Sequence, residues 1–331
     1  MILDREPPPA IGIEINDPLS EHSDQFPIAG KRNSVFLISA LRLVSQRHHF
    51  YSSPYRFARI LWGFTTNIYR QLEILRIMTS PVLLGLVRFD PILPFKYLTR
   101  GYLAGGLTVA ERASCLAHHY RQLNARFPGA ILRRILYGDV TLLEVRENDN
   151  VFAIVLGFSR LDVREGELFL HLQVDGSTIF ILQFTIIPGW VVKSERADVL
   201  LISRLQGMKG CYRQIHLATK AFQEVAPAAL LFATLQGIGQ ALGIREMAGV
   251  CATSQFCYSE DCSASFEGAY DDFWIKLGAD KATASFFSIP FRPLEKPLES
   301  IKNGHKARTK KKRAFKRQIA DAVSRFLQES S

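Results

Sequence analysis

The chain has 331 residues, of which 47% are hydrophobic, and its formal net charge at pH 7 is +10. This length allows two domains, or one large domain with a helical extension, and excludes a small disulfide-held scaffold. The five cysteines form no CxxC pair and their number is odd, which argues against a secreted disulfide framework. We therefore expect a cytoplasmic protein.

Residues 1–32 are rich in Pro, Asp and Glu and have little apolar periodicity, so we expect a flexible leader. The first residues include acids and prolines, where a signal peptide needs a basic start and an apolar core. The longest uncharged window, 225–244, is interrupted by Pro227 and by polar residues. We interpret this window as a buried helix and not as a membrane span.

Residues 33–128 repeat apolar side chains at three- and four-residue spacing, which is typical of amphipathic helices. At Pro128 the period changes. Four segments separated by turn residues follow, and they predict an antiparallel meander: TLLEVREN, VFAIVLGF, ELFLHLQV and STIFILQFTII. In the third segment leucines alternate with Glu167 and His171, so one strand face should be core and the other could face a cleft.

A further strand, DVLLISRL, leads into a bend that contains Gly207 and Gly210. Two helices should follow, the second of which begins at Pro227. REMAGVCA then predicts a strand, YDDFWIKLG a short helix and ASFFSIP a last strand. The sequence thus predicts an α+β fold, in which a helical region at 33–128 precedes a mixed sheet with flanking helices at 129–301. A basic helix from about Arg308 to Leu327 should fill most of 302–331.

The glycine bend is a candidate anion site, because a strand followed by a bend and a helix gathers backbone N–H groups at the positive end of the helix dipole. The pattern Arg204-x-x-Gly207-x-x-Gly210 and the order of elements resemble the Gcn5-related N-acetyltransferases, whose loop is one residue shorter. The resemblance implies that Arg204, Gln206, Gly207 and Gly210 bind the thioester of coenzyme A or of an acyl-carrier protein. An ordinary strand-to-helix turn is the alternative.

Seven stretches, found in one order between about residue 40 and 327, carry a second resemblance: HYRQL at 119–123, REGELFLHL at 164–172, ISRLQG at 202–207, ATKAFQEVAPAALL at 218–231, YDDFW at 270–274, FSIP at 287–290 and KKRAFKRQ at 311–318. They resemble the VirK/YbjX family of Gram-negative bacterial proteins, a group classed as a domain of unknown function. The resemblance implies a link to virulence and to stress or envelope phenotypes, without an assigned reaction. Ala228 departs from the family, which usually has a basic residue there.

An acyltransferase needs a general base for the acceptor and a proton donor for the leaving thiolate. Glu167 and His171 are the candidate bases, since they share the less apolar strand face; a surface carboxylate and a structural histidine are the alternatives. Tyr270 is the candidate acid, and the alternative is an aromatic residue that packs on Phe273 and Trp274. The cysteine and histidine spacings fit no zinc site, so we expect no metal.

The segment 302–317 holds nine Lys or Arg and no acid, which accounts for nearly the whole net charge. Apolar residues at helical spacing, such as Phe315, Ile319 and Val323, predict a helix that docks one face on the protein and turns its charges outward. The candidate contacts to an anionic partner are Lys310, Lys311, Lys312, Arg313, Lys316 and Arg317. The partner could be an anionic membrane surface or an acidic acyl-carrier protein, with nucleic acid ranked last; a solvated helix is the alternative.

Two functions of different classes are therefore open. The first is an acyltransferase that moves an acyl group from a thioester to an unknown, envelope-related acceptor. The second is a non-catalytic regulator that binds a membrane, RNA or a protein through its basic helix. In both cases we expect a cytoplasmic protein, with peripheral attachment to the inner membrane as one option.

Overall fold

The structure is a computed structural model that describes residues 62, 65–89, 93–99, 101–159 and 164–329. The predicted leader and the first part of the predicted helical region, 33–61, lie outside these residues. The predicted α+β class is confirmed: a helix-rich N-terminal region precedes an eight-stranded mixed sheet with flanking helices. Among the described helices, none has both the length and the apolar character that a membrane crossing requires.

The N-terminal region contains α1 (Ile68–Met78), α2 (Pro81–Phe89), a short 3-10 helix (Leu93–Leu98), α3 (Val109–Arg126) and α4 (Gly129–Tyr137). Helix α3 begins at a capping box, in which the Thr108 hydroxyl accepts from the Glu111 N–H and the Glu111 carboxylate accepts from the Thr108 N–H. Helix α4 occupies residues where the sequence predicted a change to strands. Its nine residues are too few for periodicity to identify it.

The predicted meander is confirmed. Its strands are β1 (Val140–Glu147), β2 (Asn150–Phe158), β3 (Leu168–Val174), β4 (Ser177–Pro188) and β5 (Asp198–Gly207), and each pairs antiparallel with the next. The turns at Asn148-Asp149 and Asp175-Gly176 have positive φ, as two-residue hairpins with right-handed twist require. Beyond β5 follow β6 (Met247–Val250), β7 (Asp280–Lys281) and β8 (Phe286–Ile289), in the sheet order β5-β6-β8-β7.

The helices after β5 are α5 (Tyr212–Ala221), α6 (Pro227–Ala241), α7 (Ser263–Ala269), α8 (Asp271–Lys276) and α9 (Asn303–Glu329). Helix α6 packs on the leucine face of the sheet and α9 packs on α6. The two helices approach closely at Gly237, where a Cβ would lie 2.4 Å from the carbonyl oxygen of Ala320. The window 225–244 is therefore a buried helix, as predicted, and α7 lies where the sequence predicted a polar loop.

Strands β5 and β6 are parallel, and they pair only over 200–202 and 247–249. Strand β6 then ends at Val250, whereas β5 continues to Gly207. Helix α8 is attached at this point, because the Trp274 indole N–H donates to the Val250 carbonyl at 3.1 Å and Asp271 accepts from the Ala252 N–H at 2.7 Å. The last five residues of β5 thus have β4 on one side and, among the described residues, no strand partner on the side of β6.

Candidate functional site

Tyr270 occupies the edge of β5 where β6 has ended. The Leu205 N–H donates to the Tyr270 hydroxyl, with 3.4 Å between nitrogen and oxygen. The side chain is 3% exposed and its ring stacks on Phe266 at 5.9 Å between centroids. Burial raises the pKa of Tyr270 to about 12, so the hydroxyl keeps its proton at neutral pH. Tyr270 therefore packs among aromatic rings and also presents a proton donor beside the unpaired edge of β5.

Arg204 and Gln206 lie on the same end of β5, and Arg204 contacts Glu165, a residue that the sequence reasoning missed. The Arg204 Nη1 is 3.1 Å from the Glu165 Oε2, and the two side chains are 22% and 14% exposed. With its amide oxygen turned toward Arg204, Gln206 accepts from the Nε at 3.0 Å. Burial raises the pKa of Glu165, and the Arg204 charge opposes this rise. A partly open carboxyl group with a raised pKa has the properties of a general base.

His171 lies on the same sheet face as Arg204. Across β3, β4 and β5, Phe169 pairs with Gln183 and Gln183 with Arg204, so the three side chains form one row. The His171 ring stacks on Phe169 at 3.7 Å between centroids. Burial, assisted by the Arg204 charge, lowers the pKa of His171 to about 4, so the imidazole is neutral at pH 7.

Gln183, in the middle of this row, is buried, and its Oε1 has no hydrogen-bond partner among the described residues. A buried carbonyl oxygen without a donor is unfavourable by about 1–3 kcal/mol unless a ligand or a water satisfies it. We name the group Glu165, His171, Gln183 and Arg204 the open-face cluster.

Glu167 is sealed from solvent and does not join His171 in the open-face cluster, contrary to the sequence prediction. It precedes β3 and is fully buried, with its Oε1 2.9 Å from the Lys96 Nζ, while the Tyr120 hydroxyl donates to its Oε2. Burial alone would raise the pKa of Glu167, but Lys96, His119 and Tyr120 together outweigh burial and lower it. The reason for the difference is tertiary: a lysine from the 3-10 helix reaches this carboxylate and seals it from solvent. We name Lys96, His119, Tyr120 and Glu167 the sealed cluster.

The glycine bend is open to solvent. Gly210 has φ +86°, and a Cβ built there would meet no heavy atom within 4 Å. The Met208 N–H donates to Ile179 and the Cys211 N–H to Met208, whereas the first-turn amides of α5 find no acceptor in the described part of the chain. Lys209 and Arg213 are exposed on either side of Gly210. The bend therefore combines amide donors with positive charge. It is open at Gly210, whereas Gly207 packs against Ile215 and Phe180, which lie 3.1 Å and 3.4 Å from the position of a Cβ.

The basic helix begins earlier than predicted, at Asn303, and divides into two halves. In the second half Ile319, Val323 and Leu327 are buried. The first half carries the predicted contact residues: Lys310, Lys311 and Arg317 are exposed, Lys312 and Lys316 are partly buried, and Arg313 forms an ion pair with Glu295 at 3.3 Å. Burial lowers the pKa of both Lys312 and Lys316.

The histidines His118 and His119 point to different partners. The His118 Nε2 is 2.7 Å from Asp198, and His119 accepts from the Ile186 N–H at 3.1 Å. Within the described ranges, no group of three or more His, Cys, Asp or Glu could hold a metal ion.

Comparison with known proteins identifies the family and nothing finer. No curated protein and no solved structure matches the chain. A family model described as a protein of unknown function, DUF535, matches residues 56–325, which is most of the chain. This agrees with the resemblance to a domain of unknown function that the sequence motifs carried. The chain therefore belongs to the DUF535 family.

Proposed function

We propose that the protein binds an acyl thioester along the unpaired end of β5 and transfers the acyl group to a nucleophilic acceptor on the open face of the sheet. The observation that carries the proposal is the separation of β5 from β6 directly beside an open glycine bend. Amide groups of the bend suit the phosphates of the donor. The sheet order also resembles that of the Gcn5-related acyltransferases, which supports the proposal as an analogy of architecture.

The residues around the separation offer the parts that acyl transfer needs. The thioester supplies the electrophilic carbonyl. Glu165 removes a proton from the acceptor nucleophile as the new bond to the acyl carbon forms. Tyr270 then donates its proton to the sulfur as the carbon–sulfur bond breaks, so that the products are the acylated acceptor and a thiol.

A binding experiment tests the first step. We expect coenzyme A and acetyl coenzyme A to raise the melting temperature and to form a complex in native mass spectrometry. Gly207→Glu should abolish both effects, because it places a carboxylate beside the phosphates. Gly304→Glu controls for the added charge, since a Cβ at Gly304 meets no atom within 4 Å. A Cβ at Gly207 would lie 3.1 Å from the Ile215 Cδ1, so the ligand-free Gly207→Glu variant must also keep the wild-type melting temperature. Failure of the wild-type protein to bind any thioester would refute the proposal.

A second experiment separates binding from chemistry. Tyr270→Phe removes the proposed proton donor and keeps the aromatic packing on Phe266 and Trp274. We expect thioester binding to be unchanged and single-turnover transfer to fall by a factor of about 10²–10⁴, the usual contribution of a general acid. Transfer at the wild-type rate would remove Tyr270 from the mechanism.

The exposed lysines of α9 favour the second candidate function, a non-catalytic regulator. Lys310 and Lys311 form no ion pair with any described residue. Removal of the whole helix would also uncover α6, so the double substitution Lys310→Glu and Lys311→Glu is the better test. Loss of binding to anionic liposomes or RNA, together with no thioester binding by the wild type, would favour the regulator.

A further inference from the structure

A row of basic side chains extends from the glycine bend along α5. Arg213, His216 and Lys220 follow one another at three- and four-residue spacing, so they share one side of the helix, and all three are exposed. Lys209 continues the row onto the bend itself. Helix α5 contains no acidic residue. The side of α5 that faces solvent therefore carries basic side chains and no acidic ones over its full length.

Beyond α5 the row is interrupted by the exposed carboxylate of Glu224 and resumes on α9. Glu224 folds back on the last turn of α5, where its N–H donates to the Thr219 carbonyl at 2.7 Å. Its carboxylate accepts from Arg308 of α9 at 2.7 Å. One turn further along α9, both groups act on the pKa of Lys312: the Arg308 charge lowers it and the Glu224 charge raises it. We name the combined surface the basic strip; it consists of Lys209, Arg213, Lys220, Arg308, Lys311 and Lys312.

Two exposed side chains with apolar surface stand where the strip meets the bend. Tyr212 is 80% exposed and Met208 is 36% exposed. Aromatic and Met side chains beside a charged rim are typical of protein-binding surfaces. The end of the strip next to the proposed thioester site is therefore suited to contact with a protein.

The strip is too long to serve coenzyme A alone. The ten residues of α5 span about 15 Å, and the strip goes on beyond them to α9. The phosphates of coenzyme A would contact the bend, Lys209 and Arg213. Coenzyme A would then have no anionic group left to contact Lys220, Arg308 or Lys311. An acyl-carrier protein combines a phosphopantetheine arm with a strongly acidic helical surface, so that it can fill the bend and the strip at once.

We infer that the acyl donor is delivered by an acidic acyl-carrier protein that docks on the basic strip and directs its phosphopantetheine arm past the glycine bend. The inference rests on the proposed function, because it names the donor for the same site. Opposite charges on the two surfaces accelerate encounter and fix the orientation of the arm.

Two other anionic partners fit the strip less well. A membrane-surface helix needs an apolar face that it can insert, whereas the apolar face of α9 is buried on α6 through Ile319, Val323 and Leu327. Single-stranded nucleic acid needs several aromatic rings on which bases stack. Along the described strip only Tyr212 offers an exposed aromatic ring.

Kinetics with an acyl-carrier protein test the inference. The test variant is Lys220→Glu with Lys311→Glu, which lies away from the bend. The control is Lys193→Glu with Lys276→Glu, which has the same change in net charge at exposed positions outside the strip. We expect the test variant to associate with an acyl-carrier protein about 10-fold more slowly than wild type, and the control to differ little. Raised salt should reduce the difference between wild type and test variant.

The same proteins are titrated with coenzyme A. Stabilisation by coenzyme A that is equal in wild type and test variant, together with weakened carrier binding, supports the inference. If wild type and test variant bind the carrier protein equally, or if neither binds it, the inference is overturned. The proposed function still stands in that case if coenzyme A binds the wild type. If the test variant loses only its binding to anionic liposomes, the strip is a membrane contact and the inference is wrong. If the wild type binds neither an acyl coenzyme A nor an acyl-carrier protein, the proposed function itself fails.

Discussion

Two glutamates on either side of Gly166 have opposite surroundings. Glu167 belongs to the sealed cluster, where it is fully buried against Lys96 and Tyr120. Glu165 belongs to the open-face cluster, where Arg204 holds it at 3.1 Å and part of its surface reaches solvent. The pKa of Glu167 is lowered and that of Glu165 is raised. The surroundings, and not the residue type, thus separate a structural acid from a chemically available one.

The close spacing of the two clusters has a geometric cause. Gly166 lies against β4, where a Cβ would come within 2.9 Å of the Gln183 Cβ and 3.0 Å of the Phe184 nitrogen. Next to it, the Glu167 N–H donates to the Thr185 hydroxyl at 3.1 Å. The contact between Gly166 and β4 leaves no room for a side chain at residue 166. On one side of it Glu167 contacts the helical residues Lys96 and Tyr120, and on the other Glu165 contacts Arg204 of β5. The following four predictions test this difference.

The largest effect should come from Lys96→Met. Removal of the ammonium leaves Glu167 charged, buried and without its cation, and loss of one partner of a buried pair typically reduces stability by about 3–5 kcal/mol. Urea unfolding measures the loss. The double substitution Lys96→Met with Glu167→Leu should recover much of it, because no unpaired charge remains. A loss no greater than that of Arg204→Met would contradict the distinction between the clusters.

The second-largest effect should be a loss of stability at acid pH that arises in the sealed cluster. Burial lowers the pKa of His119 to about 3, so the folded state keeps this imidazole neutral while the unfolded chain takes up a proton below about pH 6.5. The contribution of His119 to the free energy of unfolding is fully present above that pH and is lost as the pH falls. One proton of difference corresponds to about 2–3 kcal/mol between pH 6.5 and 4.5.

His119→Asn should reduce this loss, because the titrating group is gone; unfolding free energies across the pH range measure it. His216→Asn, at an exposed position on α5, is the control. The Glu167 carboxyl adds a loss in the same direction at still lower pH, since its folded pKa is also depressed. An identical slope for His119→Asn and wild type would show that His119 does not cause the effect.

Gly166→Ala should disturb both clusters at once. The added methyl group meets the Gln183 Cβ and backbone nitrogen of Phe184, neither of which can move aside freely, so the segment has to shift. Overpacking of this kind costs about 1–3 kcal/mol. Gly268→Ala is the matched control, since a Cβ there meets nothing within 4 Å. Equal melting temperatures for the two variants would be evidence against a tight contact at Gly166.

The smallest effect on stability should come from Glu165→Gln. Its partly exposed ion pair with Arg204 contributes about 1 kcal/mol or less, and the amide can still accept from the guanidinium. Acyl transfer, by contrast, should fall by a factor of about 10²–10⁴ if Glu165 is the base. Unchanged transfer would assign proton removal to another group, and His171 is the other candidate base.

Much of the fold could be predicted from local pattern. Alternation of leucines with polar residues identified β3, and turn residues such as Asp175 and Gly176 separated the strands. The early proline identified the start of α6, at Pro227. Helices α4 and α7 were missed, because nine and seven residues hold too few turns for a helical period to stand out. Helix α9 begins at Asn303, before its predicted start at Arg308. Its first turns are polar on all sides, so no apolar periodicity marked the true start.

The positions of some residues of the candidate site were predictable. The glycine bend, Tyr270 and His171 were identified from position along the chain, and the structure gives each of them a defined place. Glu165 was missed and Glu167 preferred to it, because spacing along β3 favoured the residue two positions before Phe169. Only the register of β4 against β5 brings Arg204 to Glu165, and only the 3-10 helix brings Lys96 to Glu167.

The sequence by itself determined the α+β class, the antiparallel meander, the open bend after β5 and the position of the basic helix, because each depends on contacts between near neighbours in the chain. Tertiary structure alone decided which glutamate is sealed and where β5 loses its partner strand. It also decided that α5 and α9 share one charged surface. These features depend on residues far apart in sequence, and the pKa and exposure of a side chain follow from such distant neighbours.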